Sequence, residues 1–290
     1  MHSYLKSIGF GGLKTEEELE TILDEVFRKY TDRQAVKEEN GNAFVEYSKA
    51  FGPDFGITLC GEMDKNGFHQ EYYVPYFRGT GVTSKEDLMV EKHGSRESYA
   101  GVMEDPRVGV SLIFYVQNVV AYKKACVDQM LLNQPVSTTF SGLSDKGEIL
   151  LPICKSEEQL QSDREAVSKR NKLIAAAKKG DEEAIESLTL EDMDTYSMIS
   201  QRIVTDDILT IVDSYFMPYG IECDQYNVLG EILDIMKFKN ILTGEEICQM
   251  TIESNDMQFD VCINSKDLLG EPAVGRRFKG TIWLQGQLHY

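Results

Sequence analysis

Residues 226–263 read YNVLGEILDIMKFKNILTGEEICQMTIESNDMQFDVCI, and residues 278–288 read FKGTIWLQGQL. Runs rich in β-branched and aromatic residues at 228–238, 246–252 and 258–263 are separated by 240–244 and 254–256, connections of hairpin length. A longer connection, 264–277, includes an expected helical turn at 265–269, and the last strand follows it. Three meandering strands, a helical interruption and a final long strand follow the order of a small β-barrel, OB-like or otherwise. Residues 223–290 are therefore expected to form a C-terminal barrel-like unit.

Before this block the composition is different. From Lys155 to Lys179 the chain is rich in Glu, Gln, Lys, Arg and Ala and reads as a long exposed helix ending at Gly180. A short helix capped by Asp181 is expected next, then one opened by Thr189-x-x-Asp192 and carrying Met193, Tyr196, Ile199 and Ile203. Behind Thr205, Asp206 and Asp207, the residues Ile208, Leu209, Ile211, Val212, Tyr215 and Phe216 share a wide apolar helical face that Pro218 and Gly220 close. Residues 155–222 thus read as a helical segment between two sheet-rich ones.

The first 154 residues are read as a sheet-rich domain with a flanking helix. Leu19, Ile22, Leu23, Val26, Phe27 and Tyr30 recur at helical spacing behind a Thr15-x-x-Glu18 capping box. Strands at 57–63 and 68–77 flank the turn Asp64-Lys65-Asn66-Gly67, and a second hairpin is expected at 136–143 and 148–153 around Ser144-Asp145-Lys146-Gly147. Residues 119–132 tolerate a helical period, with strand as the alternative reading. The expected class is α+β: an antiparallel-sheet domain, a helical middle and a barrel-like end.

The chain has 290 residues, 42% of them apolar, enough to fill one large core or two smaller ones. Its formal net charge of -18 opposes attraction to nucleic acid and to anionic lipid, so nucleic acid is disfavoured as a partner. No run reaches the roughly 20 apolar residues of a membrane helix. Residues 1–13 lack the pattern of an export signal, and no two of the six cysteines stand as C-x-x-C. Buried, reduced thiols and a cytoplasmic setting are expected.

Chemistry is sparse in the text. The loop from Gly270 to Arg277 has the glycine spacing of a phosphate-binding loop, but arginines stand where that loop needs Lys and Ser/Thr. Arg276, Arg277 and Lys279 nevertheless form the densest basic cluster of the last third, just before the only tryptophan, Trp283. Guanidinium groups beside an aromatic ring suit a phosphate or carboxylate ligand with a base stacked on the ring, so these four are the candidate ligand-binding residues. A solvated strand start with Trp283 in the core is the plainer reading of the same residues.

His69-x-Glu71 offers a metal ligand or general base on one face of its strand, but the P-C-x-x-C half of the zinc deaminase signature is missing. His2, His69, His93 and His289 have no metal-ligand spacing. Glu191, Asp192, Asp194, Asp206 and Asp207 could gather a magnesium ion but are better read as charges at helix N-termini. Cys60 has no activating neighbour in sequence, and no G-x-S-x-G occurs. No catalytic residue, metal site or cofactor is assigned.

The opening MHSYLKSIGF (1–10), the stretch YNVLGEI (226–232) and the ending GRRFKGTIWLQG (275–286) together resemble a family of unknown function, about this long, from anaerobic Gram-positive bacteria. The resemblance spans the chain and implies a cytoplasmic bacterial protein with one integrated architecture, and it carries over no site. The expected function is noncatalytic binding of a small molecule or a protein. The alternative is an enzyme of unrecognised type, such as a metal-dependent hydrolase using His69 and scattered carboxylates. Self-association through sheet edges or the 208–216 helix is also compatible with the sequence.

Overall fold

The computed structural model describes residues 2–38, 41–92, 97–128, 136–153, 157–177, 179–202 and 208–290. His93, Met130, Leu131, Cys154, Ile203, Thr205, Asp206 and Asp207, which figure in the sequence reading, lie outside the described residues. By their contacts the residues fall into two units, one made of 1–150 and 214–290, the other of 151–213.

A 3-10 helix (Ser3–Ile8) opens the first unit, followed by α1 (Glu16–Arg28). The capping box is formed as expected: the Thr15 hydroxyl accepts from the Glu18 N–H, and the Glu18 carboxylate accepts from the Thr15 N–H. Four strands then make an antiparallel sheet in chain order, β1 (Asp32–Lys37), β2 (Ala43–Ala50), β3 (Phe55–Asp64) and β4 (Gly67–Phe77). β3 and β4 are the expected hairpin around Asp64–Gly67, with a bulge where Tyr72 pairs Cys60 and Gln70 pairs Gly61.

The remaining strands of this unit join a second sheet. They are β5 (Leu88–Lys92), β6 (Tyr99–Glu104), β7 (Ser111–Val116), β8 (Ser137–Leu150), β9 (Tyr215–Pro218), β10 (Gln225–Lys239), β11 (Glu246–Ser254), β12 (Met257–Asn264), β13 (Leu268–Leu269) and β14 (Arg277–His289). α2 (Val119–Val127) lies between β7 and β8, so the 119–132 stretch is helical where it is described. A 3-10 turn, Ser265–Asp267, falls within the helical turn expected at 265–269.

Five of these strands close into a barrel: β8 pairs β12, β12 pairs β11, β11 pairs β10, β10 pairs β14, and β14 returns to β8. Only the β8–β12 contact in this ring is parallel. The barrel expected of 223–290 alone is therefore corrected, because one of its five walls comes from 137–150.

The same strand corrects the second hairpin. Ser144–Gly147 has turn composition, yet Ser137–Leu150 is one continuous strand because β14 pairs along its whole length, from Arg277 opposite Leu150 to His289 opposite Ser137. The turn-like residues yield only a bulge at Asp145, across which the Ser144 hydroxyl bonds the carbonyls of Lys146 and Thr281. Gly147 serves packing: a Cβ there would lie 2.4 Å from the Phe278 ring, and one on its partner Gly280 would lie 2.6 Å from it.

The apolar face at 208–216 does not form the expected helix. Only Ile208–Ile211 is helical (α5), and Tyr215–Pro218 is a strand on β10. Tertiary burial overrides the helical period: Phe216 is buried in the core against the rings of Tyr226 and Phe259.

Inside the barrel lie Val228, Ile232, Met250, Ile252, Val261, Ile263, Phe278, Ile282 and Leu284, all buried in one cluster. A second cluster joins the 3-10 helix and α1 to one face of the first sheet (Val45, Tyr47, Ile57, Leu59) and to the barrel's outer residues Leu143, Cys262 and Trp283. Each such fully buried side chain contributes about 1.5–3 kcal/mol, so the two clusters supply the main drive to fold.

The second unit holds α3 (Glu157–Ala177), α4 (Glu182–Arg202) and α5. The turn between α3 and α4 uses Gly180 at φ +85°, and Asp181 caps α4 by accepting from the Ala184 N–H. A separate helix opened by Thr189 is not formed. The Thr189 hydroxyl donates back to the Ile185 carbonyl inside α4, so Glu191 and Asp194 stand in mid-helix rather than at an N-terminus.

Candidate functional site

Strand β14 sets the four residues singled out in sequence on different footings. Arg276 precedes the strand, is half-buried and donates to the Glu271 carbonyl at 2.7 Å, within a loop tied to Ile232 on β10. Arg277 is buried, paired in register with Leu150 and Glu231. Lys279 stands opposite Glu148 with its ammonium 2.5 Å from the carboxylate. Trp283 is buried, its ring stacked on Tyr4 at 5.6 Å and tilted against Tyr115 at 5.4 Å. Its indole N–H donates to Asp224 at 2.6 Å. Arg277, Lys279 and Trp283 share the strand's outward face while Phe278 and Ile282 point into the barrel.

Lys279 opens onto a cavity of about 330 Å³ in the barrel wall, lined with Lys146, Glu148, Tyr215, Tyr219, Asn227 and Thr281. Gly147 and Gly280, the glycines that make room for Phe278, form part of its floor. Lys146 makes no ion pair among the described residues and lies 5.9 Å from the centre of the Tyr219 ring. Sequence inspection missed Lys146, Tyr215 and Tyr219. Lys146 follows the bulge that reads as a turn, Tyr215 opens β9, which reads as helix, and Tyr219 follows that strand.

A second recess, about 310 Å³, lies between the first sheet and the β7–α2 connection. Asp32, Glu46, Ser48, Thr58, Tyr76, Arg78, Tyr115 and Gln117 are among its lining residues. The register explains its polarity. Asp32 faces Ser48, Ser48 faces Thr58, Gln34 faces Glu46 and Glu46 faces Cys60, so one face of the sheet carries the polar set while α1 covers the other. The Ser48 and Thr58 hydroxyls bond each other at 2.7 Å, and the Arg78 guanidinium lies 4.9 Å from the centre of the Tyr76 ring.

Glu46 is buried in this recess with no ion pair among the described residues. Burial raises its pKa to about 8, against a hydrogen bond from the Val120 backbone N–H. That bond caps α2. Asn118 stands at the N-cap but makes no capping bond there, because its amide is engaged with the backbone of Leu288. Beyond Glu46, burial also pushes up the Cys60 thiol and the Tyr72 and Tyr115 phenols. A single carboxylate in the run AFVEYSKA of β2 was the available sequence signal.

His69 bonds Asp64 at 3.0 Å on the exposed hairpin end, and Glu71 is the bulged residue of β4. Neither residue lines the two recesses described above. Glu191 pairs Lys169 at 2.8 Å. Among the described residues no group of three or more His, Cys, Asp or Glu is placed to hold a metal ion. Cys60, Cys248 and Cys262 are buried as expected, whereas Cys126 and Cys223 are exposed. No described helix is long and apolar enough to cross a membrane.

The chain thus builds a mostly β protein in which an antiparallel sheet flanks a closed five-stranded barrel, with polar recesses on the barrel wall and beside the sheet. It belongs to the family described as a domain of unknown function, E. rectale gene description (DUF3881), which matches residues 5–286. The resemblance carried by the first, middle and last segments is thereby borne out. No curated protein and no solved structure matches this chain.

Proposed function

We propose that this is a noncatalytic binding protein that takes a small anionic molecule on the outer wall of its barrel, at Lys146 and Lys279. The observation that carries the reading is the convergence of two ammonium groups on one cavity where a single carboxylate, Glu148, faces them. Tyr215 and Tyr219 offer ring faces for an unsaturated ligand, and Asn227 and Thr281 offer hydrogen bonds. Arg277 extends the basic outer face of β14, Arg276 flanks the strand's start, and Trp283 anchors the strand further along the same face by packing on Tyr4 and Tyr115.

The pairing order supports a binding module. A three-strand meander whose last strand runs parallel to a closing strand is the arrangement of an OB-like barrel, here with that closing strand, β8, placed first in the chain. Barrels of this kind bind ligands on their walls and loops. The net charge of -18 argues against a nucleic acid strand as the ligand. A reducing, cytoplasmic setting accords with the five free cysteines of the described residues.

Thermal-shift and calorimetric titration with inorganic pyrophosphate and adenosine monophosphate test this reading. Saturable binding that is lost in Lys146→Ala and in Lys279→Ala is expected. The reading is overturned if neither probe binds, or if the double variant with Arg276→Ala and Arg277→Ala added binds as the unmodified chain does.

A further inference from the structure

The recess beside the first sheet has the opposite chemistry from the barrel-wall cavity. Its lining sets the carboxylates of Asp32 and Glu46, the hydroxyl oxygens of Ser48 and Thr58 and the ring of Tyr76 beside one cation, Arg78, which rests against that ring. Neither carboxylate is ion-paired among the described residues, and only one backbone N–H is directed at Glu46. A carboxylate buried in this way has lost most of its water, and Arg78 and Lys124 nearby do not offset that loss, so a cation bound directly to it would favour the ionised form.

We propose that this recess binds a small organic cation through a primary ammonium group held between Asp32 and Glu46. Asp32 sits opposite Ser48 and Glu46 opposite Gln34, so the two acids are diagonal neighbours on adjacent strands. Diagonal Cβ atoms stand about 7–8 Å apart, a gap that an ammonium spans with charge-assisted bonds of about 2.8 Å to each carboxylate. An ammonium brings donors and no acceptors, which suits the two carboxylates and the two hydroxyls; the alkyl part would lie against Val74 and Ala121. The inference is independent of the barrel-wall site, which takes the opposite charge.

Binding is linked to protons. The charged and titratable groups around Glu46 are Asp32 on β1, Cys60 on β3, Tyr72 on β4, Arg78 just after β4, Tyr115 on β7 and Lys124 on α2. Burial outweighs the cations among them and holds Glu46 at about 8, so at pH 7 the carboxyl is mostly protonated. An ammonium favours the ionised form, so its arrival expels that proton and its affinity rises as the pH passes through 8.

The test is calorimetric titration of the full chain at low salt with n-butylamine, and with n-butanol as its neutral counterpart, in two buffers of different ionisation heat. Saturable binding of the amine alone, with net proton release at pH 7 that fades by pH 9, is the expected result. Glu46→Gln should abolish the proton release, and Glu46→Gln and Asp32→Asn should each weaken the amine about tenfold or more. The proposal is overturned if the amine fails to saturate up to about 50 mM, if butanol binds equally, or if both variants bind the amine unchanged.

Discussion

Lys279 on β14 and Glu148 on β8 stand directly opposite each other at the seam that closes the barrel, ammonium to carboxylate at 2.5 Å. Both side chains are about one-third exposed, which limits the pair's worth to stability to about 1 kcal/mol or less. Glu148→Gln is therefore expected to lower unfolding free energy by no more than that, with the difference shrinking at high salt in urea titrations. The same change removes the one carboxylate that lines the cavity, so pyrophosphate should bind more tightly to the variant than to the unmodified chain.

Glu46 makes stability depend on pH in the direction opposite to a salt-bridged acid. Its pKa rises from 4.5 to about 8 on folding, so between those values the folded chain keeps a proton that the unfolded chain has released. Stability falls as pH rises through this window, by at most about 1.4 kcal/mol per unit, and levels off above it. Denaturant titrations at pH 5, 7 and 9 should show this decline in the unmodified chain and its loss in Glu46→Gln. A decline of equal size in both would assign it to other groups.

Gly147 and Gly280 border the Phe278 ring so closely that a methyl group at either must displace it. Gly147→Ala is expected to cost about 1–3 kcal/mol by overpacking. At Gly12 a Cβ meets nothing within 4 Å. Gly12→Ala should then stay within about 0.5 kcal/mol of the unmodified chain, and comparison of urea midpoints checks both.

Trp283 is the only tryptophan and reports on the barrel's outer wall. Its fluorescence should be blue-shifted in the native state and should move to the red in one step with barrel unfolding. Trp283→Ala is expected to cost about 3–5 kcal/mol through lost packing on Tyr4 and Tyr115, followed by circular dichroism because the fluorophore is gone. Asp224→Asn keeps the ring stack and weakens the indole hydrogen bond, so its cost should be smaller.

Local signals identified the elements whose stability is local. The capping box at Thr15 and Glu18, the Asp64–Gly67 hairpin turn and the alternating strands of the last third could each be read from neighbours in sequence, because the groups that satisfy one another lie within a few residues. Where a partner comes from far along the chain, the local reading failed. Ser144–Gly147 has the composition of a turn and becomes a bulge because β14, over 130 residues later, pairs along both sides of it. Tyr215 and Phe216 end the helical period read at 208–216 and become part of a strand because Phe216 is drawn into the core.

The sites divide in the same way. Lys279 could be singled out from the basic cluster beside it, but Lys146, Tyr215 and Tyr219 join it only once the seam closes. Asp32 and Glu46 are fourteen positions apart and become neighbours through the β1–β2 register. What the sequence determined by itself was charge, amphipathic period and turn chemistry, all properties of adjacent residues. The tertiary structure alone decided which strand closes the barrel and which carboxylate loses its water, because both depend on burial against residues remote in the chain.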